Sequence, residues 1–161
     1  MLELVDWAPN SHALVVHLPI GLLVAAAMID LLTWLQRNDT HTRSVATGFY
    51  VAGVIAVLGT YLTGRSAAAE VYTPGLALPV VARHWDWALG CVLFYGALGA
   101  ARVVQTFAIP SPGRLTRAAL TVAGLMGVGL LAVTGELGGR LVYEHRVGVS
   151  TPSVVAPTPT R

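Results

Sequence analysis

The chain has 161 residues, 55% of them hydrophobic and only 11% charged, with a formal net charge of +2. Soluble domains carry roughly a quarter charged residues, so a mainly water-facing surface is excluded and a lipid-facing one is expected. The small net charge gives no electrostatic case for nucleic acid, and the single cysteine, Cys91, excludes an internal disulfide and any CxxC metal or redox motif.

The length suits one domain. The first ten residues hold Glu3 and Asp6 and no arginine, the reverse of a basic signal-peptide start, so the first apolar run is expected to be a retained span. A membrane helix needs about 20 mostly apolar residues to cross the hydrocarbon core. The first such run covers about 11–35, with Asn10 and Ser11 as helix-capping residues and one acid, Asp30, near its far end. Pro19 inside it removes a backbone donor and predicts a kink near His17. Asp30 is expected to pair with Arg37 or Arg43 across the polar turn QRNDTHTR.

The second run, 44–64, has no charge at all. A longer connection over 65–82, with Pro74, Gly75 and Pro79, is expected to lie along the membrane surface. The third run, 83–104, is charge-free from Trp87 to Ala101, and a Pro/Gly-punctuated turn follows it. The fourth run covers about 115–137, where Gly135, Gly138 and Gly139 predict a tight helix end or a close helix contact. Neither the second nor the fourth run shows a polar face at the helical period, which argues against buried helices of a soluble protein. Backbone groups in lipid must bond within their own segment, so helices are expected. The fold class is therefore all-α: a polytopic membrane protein with four transmembrane helices in an up-down-up-down bundle over 1–148. Residues 149–161, rich in Pro, Ser and Thr, read as a flexible tail.

Four spans put both termini on one side. The opposite face gathers Arg37, Arg43, Arg102, Arg114 and Arg117, against Arg65, Arg83, Arg140 and Arg146 near the terminal side. That excess leans the termini towards the periplasm of a bacterial cytoplasmic (inner) membrane.

The alternation of spans has a chemical consequence. His12 and His17 open the first helix, His84 opens the third, and His145 follows the fourth, so four of the five histidines meet at one membrane face. His41 lies in the opposite polar turn. Imidazole is the commonest protein ligand for transition metals and a ligand of haem iron. Ionisable groups near membrane depth are rare and functional more often than not. Glu136, Asp86 and Glu144 share the layer, where a carboxylate orients an imidazole or ligates a metal itself. His12 and His17 are five residues apart and do not share a helix face; depth alone favours His17 with His84 as a haem-ligating pair. The competing reading makes these histidines interfacial anchors beside Trp7, Trp85 and Trp87.

Two segments carry a resemblance. HALVVHLPIGLLVAAAMIDLL, from His12 to Leu32, and TGELGGRLVYEHRVGV, from Thr134 to Val149, resemble the opening and closing signatures of a bacterial membrane family catalogued as a domain of unknown function, and ARHW at Ala82–Trp85 fits its middle. Arg146 stands where the family pattern has glycine. The resemblance implies a four-helix bundle, recurrent histidines at His12, His17, His84 and His145, and the company of Rieske iron–sulfur or c-type cytochrome modules.

The resulting expectation is a redox-associated membrane protein rather than a stand-alone enzyme. It would bind haem b through His17, His84, His145 and His12, or a transition metal through those histidines and Glu136. Its partners would be the lipid bilayer and redox-chain proteins or a quinone. The rival from another class is a non-catalytic accessory subunit of a larger membrane complex. A transporter fits less well, because the charge-free second and fourth spans offer little to line an aqueous path and no inverted repeat relates the two halves.

Overall fold

A computed structural model describes residues 11–36, 40–109 and 112–149. The elements in order are α1 (Ser11–Val15), α2 (His17–Leu35), α3 (Thr40–Glu70), a 3-10 turn (Gly75–Ala77), α4 (Leu78–Phe107) and α5 (Arg114–Tyr143). There is no strand among the described residues. Four helices are long and apolar enough to cross a membrane: Ser11–Leu35, which joins α1 and α2, then His41–Glu70, Gly75–Phe107 and Arg114–Tyr143. The chain is an all-α multi-pass membrane protein.

Helix α2 packs on α3, α3 on α4, α4 on α5, and α5 back on α2, so the bundle closes into a ring with α2 facing α4 and α3 facing α5 across it. Its core holds Leu23, Ala26, Tyr50, Val57, Cys91, Tyr95, Leu98 and Leu131. Met28, Ile55, Leu93 and Met126 are more than half exposed. A water-soluble monomer does not carry apolar surface on that scale; against lipid tails it costs nothing, and the bundle is held by close packing and polar contacts.

Pro19 acts as its chemistry requires. It cannot donate to the carbonyl of Val15, and the first helix is interrupted at Val16, between α1 and α2. The middle connection is much shorter than the sequence suggests. Helix α3 continues through the alanine-rich stretch 65–70, a strong helix former. Helix α4 begins at Leu78 with Pro79 in its first turn, where a missing N–H costs nothing. Only 71–77 remain outside, and Ala77 there is fully buried. Helix α5 likewise runs through Gly135, Gly138 and Gly139 to Tyr143. It stops where the amides of His145, Arg146 and Val147 turn back to the carbonyls of Arg140, Val142 and Leu141. Arg146 takes φ 53°, the left-handed region that suits glycine, and so occupies the closing turn at a backbone cost.

The two hairpins, α2–α3 and α4–α5, are copies of one design. Thr42, Arg43, Thr47, Gly53, Val54, Thr60, Gly64 and Glu70 recur at the same intervals as Thr116, Arg117, Thr121, Gly127, Val128, Thr134, Gly138 and Glu144. The contacts recur too. The Leu23 side chain lies on Gly53, and Tyr95, at the equivalent place in α4, lies on Gly127. A Cβ at either glycine would overlap that side chain, so the small residue sets the helix spacing. The hairpins run in the same sense, which makes this a parallel repeat about an axis along the membrane normal.

The tail lies outside the described residues beyond Val149, as do Trp7 and Asn10.

Candidate functional site

The bundle brings His12, His84 and His145 to one end, with His17 one break deeper at the start of α2. Within that layer the side chains separate. His17 is exposed on the lipid side of the first span, whereas His12 and His84 are half-buried. His145 is half-buried beyond the end of α5 and contributes its backbone amide to the closing turn. Glu136 and Asp86 are exposed, and Glu144 is held by Arg140 in a surface ion pair at 3.1 Å. Among the described residues no three His, Cys, Asp or Glu are grouped to hold a metal ion, so His12, His17, His84, His145 and Glu136 do not gather round one point.

What does come together is a pair. The Nδ1 of His12 lies 3.0 Å from the carbonyl of Thr60 on α3, with the Thr63 hydroxyl at 3.3 Å. The Nδ1 of His84 lies 3.1 Å from the carbonyl of Thr134 on α5. A carbonyl only accepts, so both Nδ1 atoms carry the proton and donate it. With Nδ1 donating, each neutral ring presents a bare Nε2 lone pair.

The rings are also held by shape. A Cβ on Gly64 would stand 3.1 Å from the His12 ring, and one on Gly138 would stand 3.3 Å from the His84 ring. Each imidazole thus lies over a glycine one turn beyond the threonine that accepts its proton. His12 with Thr60 and Gly64 repeats His84 with Thr134 and Gly138, so the site is a two-fold device made once by each hairpin. Around His84 the order extends further. The Thr134 hydroxyl donates to Leu130 at 2.9 Å and meets the Cys91 sulfur at 3.3 Å. Trp85 stacks edge-on against Tyr61 with centroids 5.6 Å apart, an aromatic contact at the same end of the bundle.

Depth in sequence had favoured His17 as the partner of His84. The helix break at Val16 resets the rotational phase, and the inward imidazole is that of His12. The orienting threonines and the glycine cradles were not legible from spacing within one span. Their signal was the repetition of T-x-x-x-G at the ends of the second and fourth spans.

A second polar layer occupies the opposite end. Asp30 of α2 forms an ion pair with Arg102 of α4, each 3% exposed. This replaces the expected pairing of Asp30 with Arg37 or Arg43: Arg37 lies outside the described residues, and the Arg102 head crosses the bundle to reach the acid. Arg102 Nη1 also donates to Gln105 at 3.2 Å, and the guanidinium lies 5.3 Å from the Tyr50 ring centroid. Thr47 and Thr106 share a hydrogen bond of 2.8 Å nearby.

The DUF2231 family of predicted membrane proteins matches residues 8–151, nearly the whole chain. The chain belongs to the DUF2231 family. The segments His12–Leu32 and Thr134–Val149, and with them His84, fall inside the DUF2231 match. No curated protein and no solved structure matches the chain. DUF2231 membership agrees with the four-span bundle and the lipid contact, and it carries no activity with it.

Proposed function

We propose that this protein is a redox-associated membrane protein that binds haem b between His12 and His84. The observation that carries the reading is the symmetric pair of imidazoles, each with Nδ1–H given to a helix carbonyl. A ligating imidazole typically donates its other ring N–H to a carbonyl or carboxylate, which fixes the tautomer and raises the basicity of the ligating nitrogen. Thr60 and Thr134 would be those acceptors, and Gly64 and Gly138 would hold the ring planes.

His12 on the first span and His84 on the third would hold haem iron through their two Nε2 atoms, as histidines on separate helices of a bundle can. A closed mononuclear metal site needs about four ligands, which this pair does not supply. A bound haem supplies one-electron transfer. The chain's own contribution is to orient two lone pairs and to set the group close to one membrane face. With the arginine-rich end in the cytoplasm, that face is the periplasmic side of a bacterial inner membrane, where a quinone or a periplasmic carrier would exchange electrons.

The test is the absorption spectrum of the protein purified from its native membrane, air-oxidised and then dithionite-reduced. The expected result is a Soret band with an α-band that grows on reduction. His12→Ala and His84→Ala should each abolish it, while His17→Ala should leave it intact. A spectrum without haem bands, or equal loss in all three variants, would overturn the assignment.

A further inference from the structure

Among the described residues, the end of the bundle away from His12 and His84 carries an excess of buried positive charge. A small cavity of about 20 Å³, partly open to the outside, is lined by Asp30, Thr33, Trp34, Arg43, Arg102, Arg117 and Thr121. Three guanidiniums thus surround one carboxylate. Asp30 is committed to Arg102. Among the described residues Arg43 and Arg117 have no ion-pair partner, and the buried Nε atoms of Arg43, Arg102 and Arg117 have no hydrogen-bond partner. Arg102 is 3% exposed, so its idle donor cannot be satisfied by bulk water. Buried charged donors left in that state are expensive, and native structures satisfy them.

We propose that Arg43, Arg102 and Arg117 form a binding site for a phosphate-type oxyanion, supplied by an anionic lipid headgroup or by free inorganic phosphate. The missing component is negative charge with several acceptor oxygens in a small space. Guanidiniums take such oxygens through paired N–H donors. The cavity admits little more than one water-sized group, since a water needs about 10–15 Å³ by this measure. One phosphate oxygen enters it and the remainder stays at the mouth, beside the Trp34 rim.

The helices add to the field. Arg43 stands in the first turn of α3 and Arg117 in the first turn of α5. These are equivalent positions in the two hairpins, so each hairpin brings one arginine from the first turn of a helix to the cavity. Helix N-termini favour anions through their free amides and their dipole. The N-cap of α5, Gly113, provides no side-chain oxygen for those amides. The pseudo-symmetry therefore gives two equivalent arms, Arg43 and Arg117, while the position matching Asp30 is Arg102, which puts the excess positive charge on the axis.

The test uses the full chain in neutral detergent. Its thermal midpoint is measured with phosphatidylglycerol, with phosphatidylcholine, and with inorganic phosphate against chloride at equal ionic strength; native mass spectrometry counts retained lipid. The variants are Arg43→Gln/Arg117→Gln and, as a control at the same membrane face, Arg114→Gln, whose side chain is exposed and outside the cavity. The expected result is stabilisation by phosphatidylglycerol or phosphate but not by phosphatidylcholine or chloride. Affinity should fall at least tenfold in the double variant and stay unchanged in Arg114→Gln.

A response to phosphatidylglycerol alone assigns the headgroup as the source; a response to phosphate as well shows that the free ion suffices. No response to either anion, an undiminished response in the double variant, or an equal loss in Arg114→Gln would overturn the proposal. Folding of the double variant is checked by its helical circular dichroism without ligand. Should it fail to fold, Arg43→Lys/Arg117→Lys keeps the charge, removes the paired donors, and must still bind at least tenfold more weakly.

Discussion

Removing the carboxylate of Asp30 should be the most damaging single polar change in the bundle. Asp30 and Arg102 are both 3% exposed and pair across the ring of helices. Asp30→Asn keeps the shape and deletes the charge, leaving Arg102 buried beside Arg43 and Arg117 with no acid among the described residues of their cavity. Breaking a buried pair by removing one partner costs about 3–5 kcal/mol in soluble proteins. Contacts between membrane helices are worth less, on average about 0.6 kcal/mol, because the inserted but unpacked state also finds partners. A charge with two like charges beside it belongs near the lower end of the soluble range, about 3 kcal/mol.

Arg102→Met should cost less, about 1–2 kcal/mol, because Asp30 then keeps Arg43 and Arg117 within its cavity and the Met side chain fills the stem volume. The double variant should be no worse than Asp30→Asn alone, giving a coupling of at least about 1 kcal/mol between neighbours that share one interaction. The assay is unfolding in mixed micelles by titration with a denaturing detergent, followed by far-UV circular dichroism. A loss below about 1 kcal/mol for Asp30→Asn, or strict additivity of the two single changes, would refute the reasoning.

The other expectations concern packing, the turn and topology. Gly127→Ala should destabilise by about 1–3 kcal/mol, the usual cost of overpacking, because its Cβ would come 2.7 Å from the Tyr95 ring and 2.9 Å from Phe94. Gly129→Ala, which meets nothing within 4 Å, should not destabilise and should gain up to about 1 kcal/mol from helix propensity in the same titration. Arg146→Gly should stabilise the end of α5 by up to about 1 kcal/mol by relieving its positive φ of 53°, read as slower amide exchange at Val147, and faster exchange would sink that account. In inverted and right-side-out vesicles, Tyr72→Cys and Leu115→Cys, both more than four-fifths exposed, should label from opposite faces with a membrane-impermeant maleimide. Cys91, at 3% exposure, should give no background in either.

The membrane-spanning character was legible in the sequence because it depends on local transfer free energy, which adds along a helix whatever that helix touches. Four apolar runs, their alternation and the collection of histidines at one end follow from that alone. Helix lengths were under-read: the sequence counted apolar residues, whereas α3 runs on into 65–70, where its alanines favour helix, and α5 runs on through 138–143 in spite of Gly138 and Gly139. The parallel repeat was present as residues at matching intervals, but only the matching contacts of His12 and His84 give it meaning.

The rest was decided by the tertiary structure, because it turns on the rotation of each helix about its axis and on which helix stands beside which. The break at Val16 turns His12 inward and leaves His17 towards lipid. The closing of the ring puts Arg102 of α4 against Asp30 of α2, far apart in the chain. Neither outcome has a signature in hydropathy, since an inward and an outward histidine, or a paired and an unpaired arginine, contribute identically to the apolarity of their span.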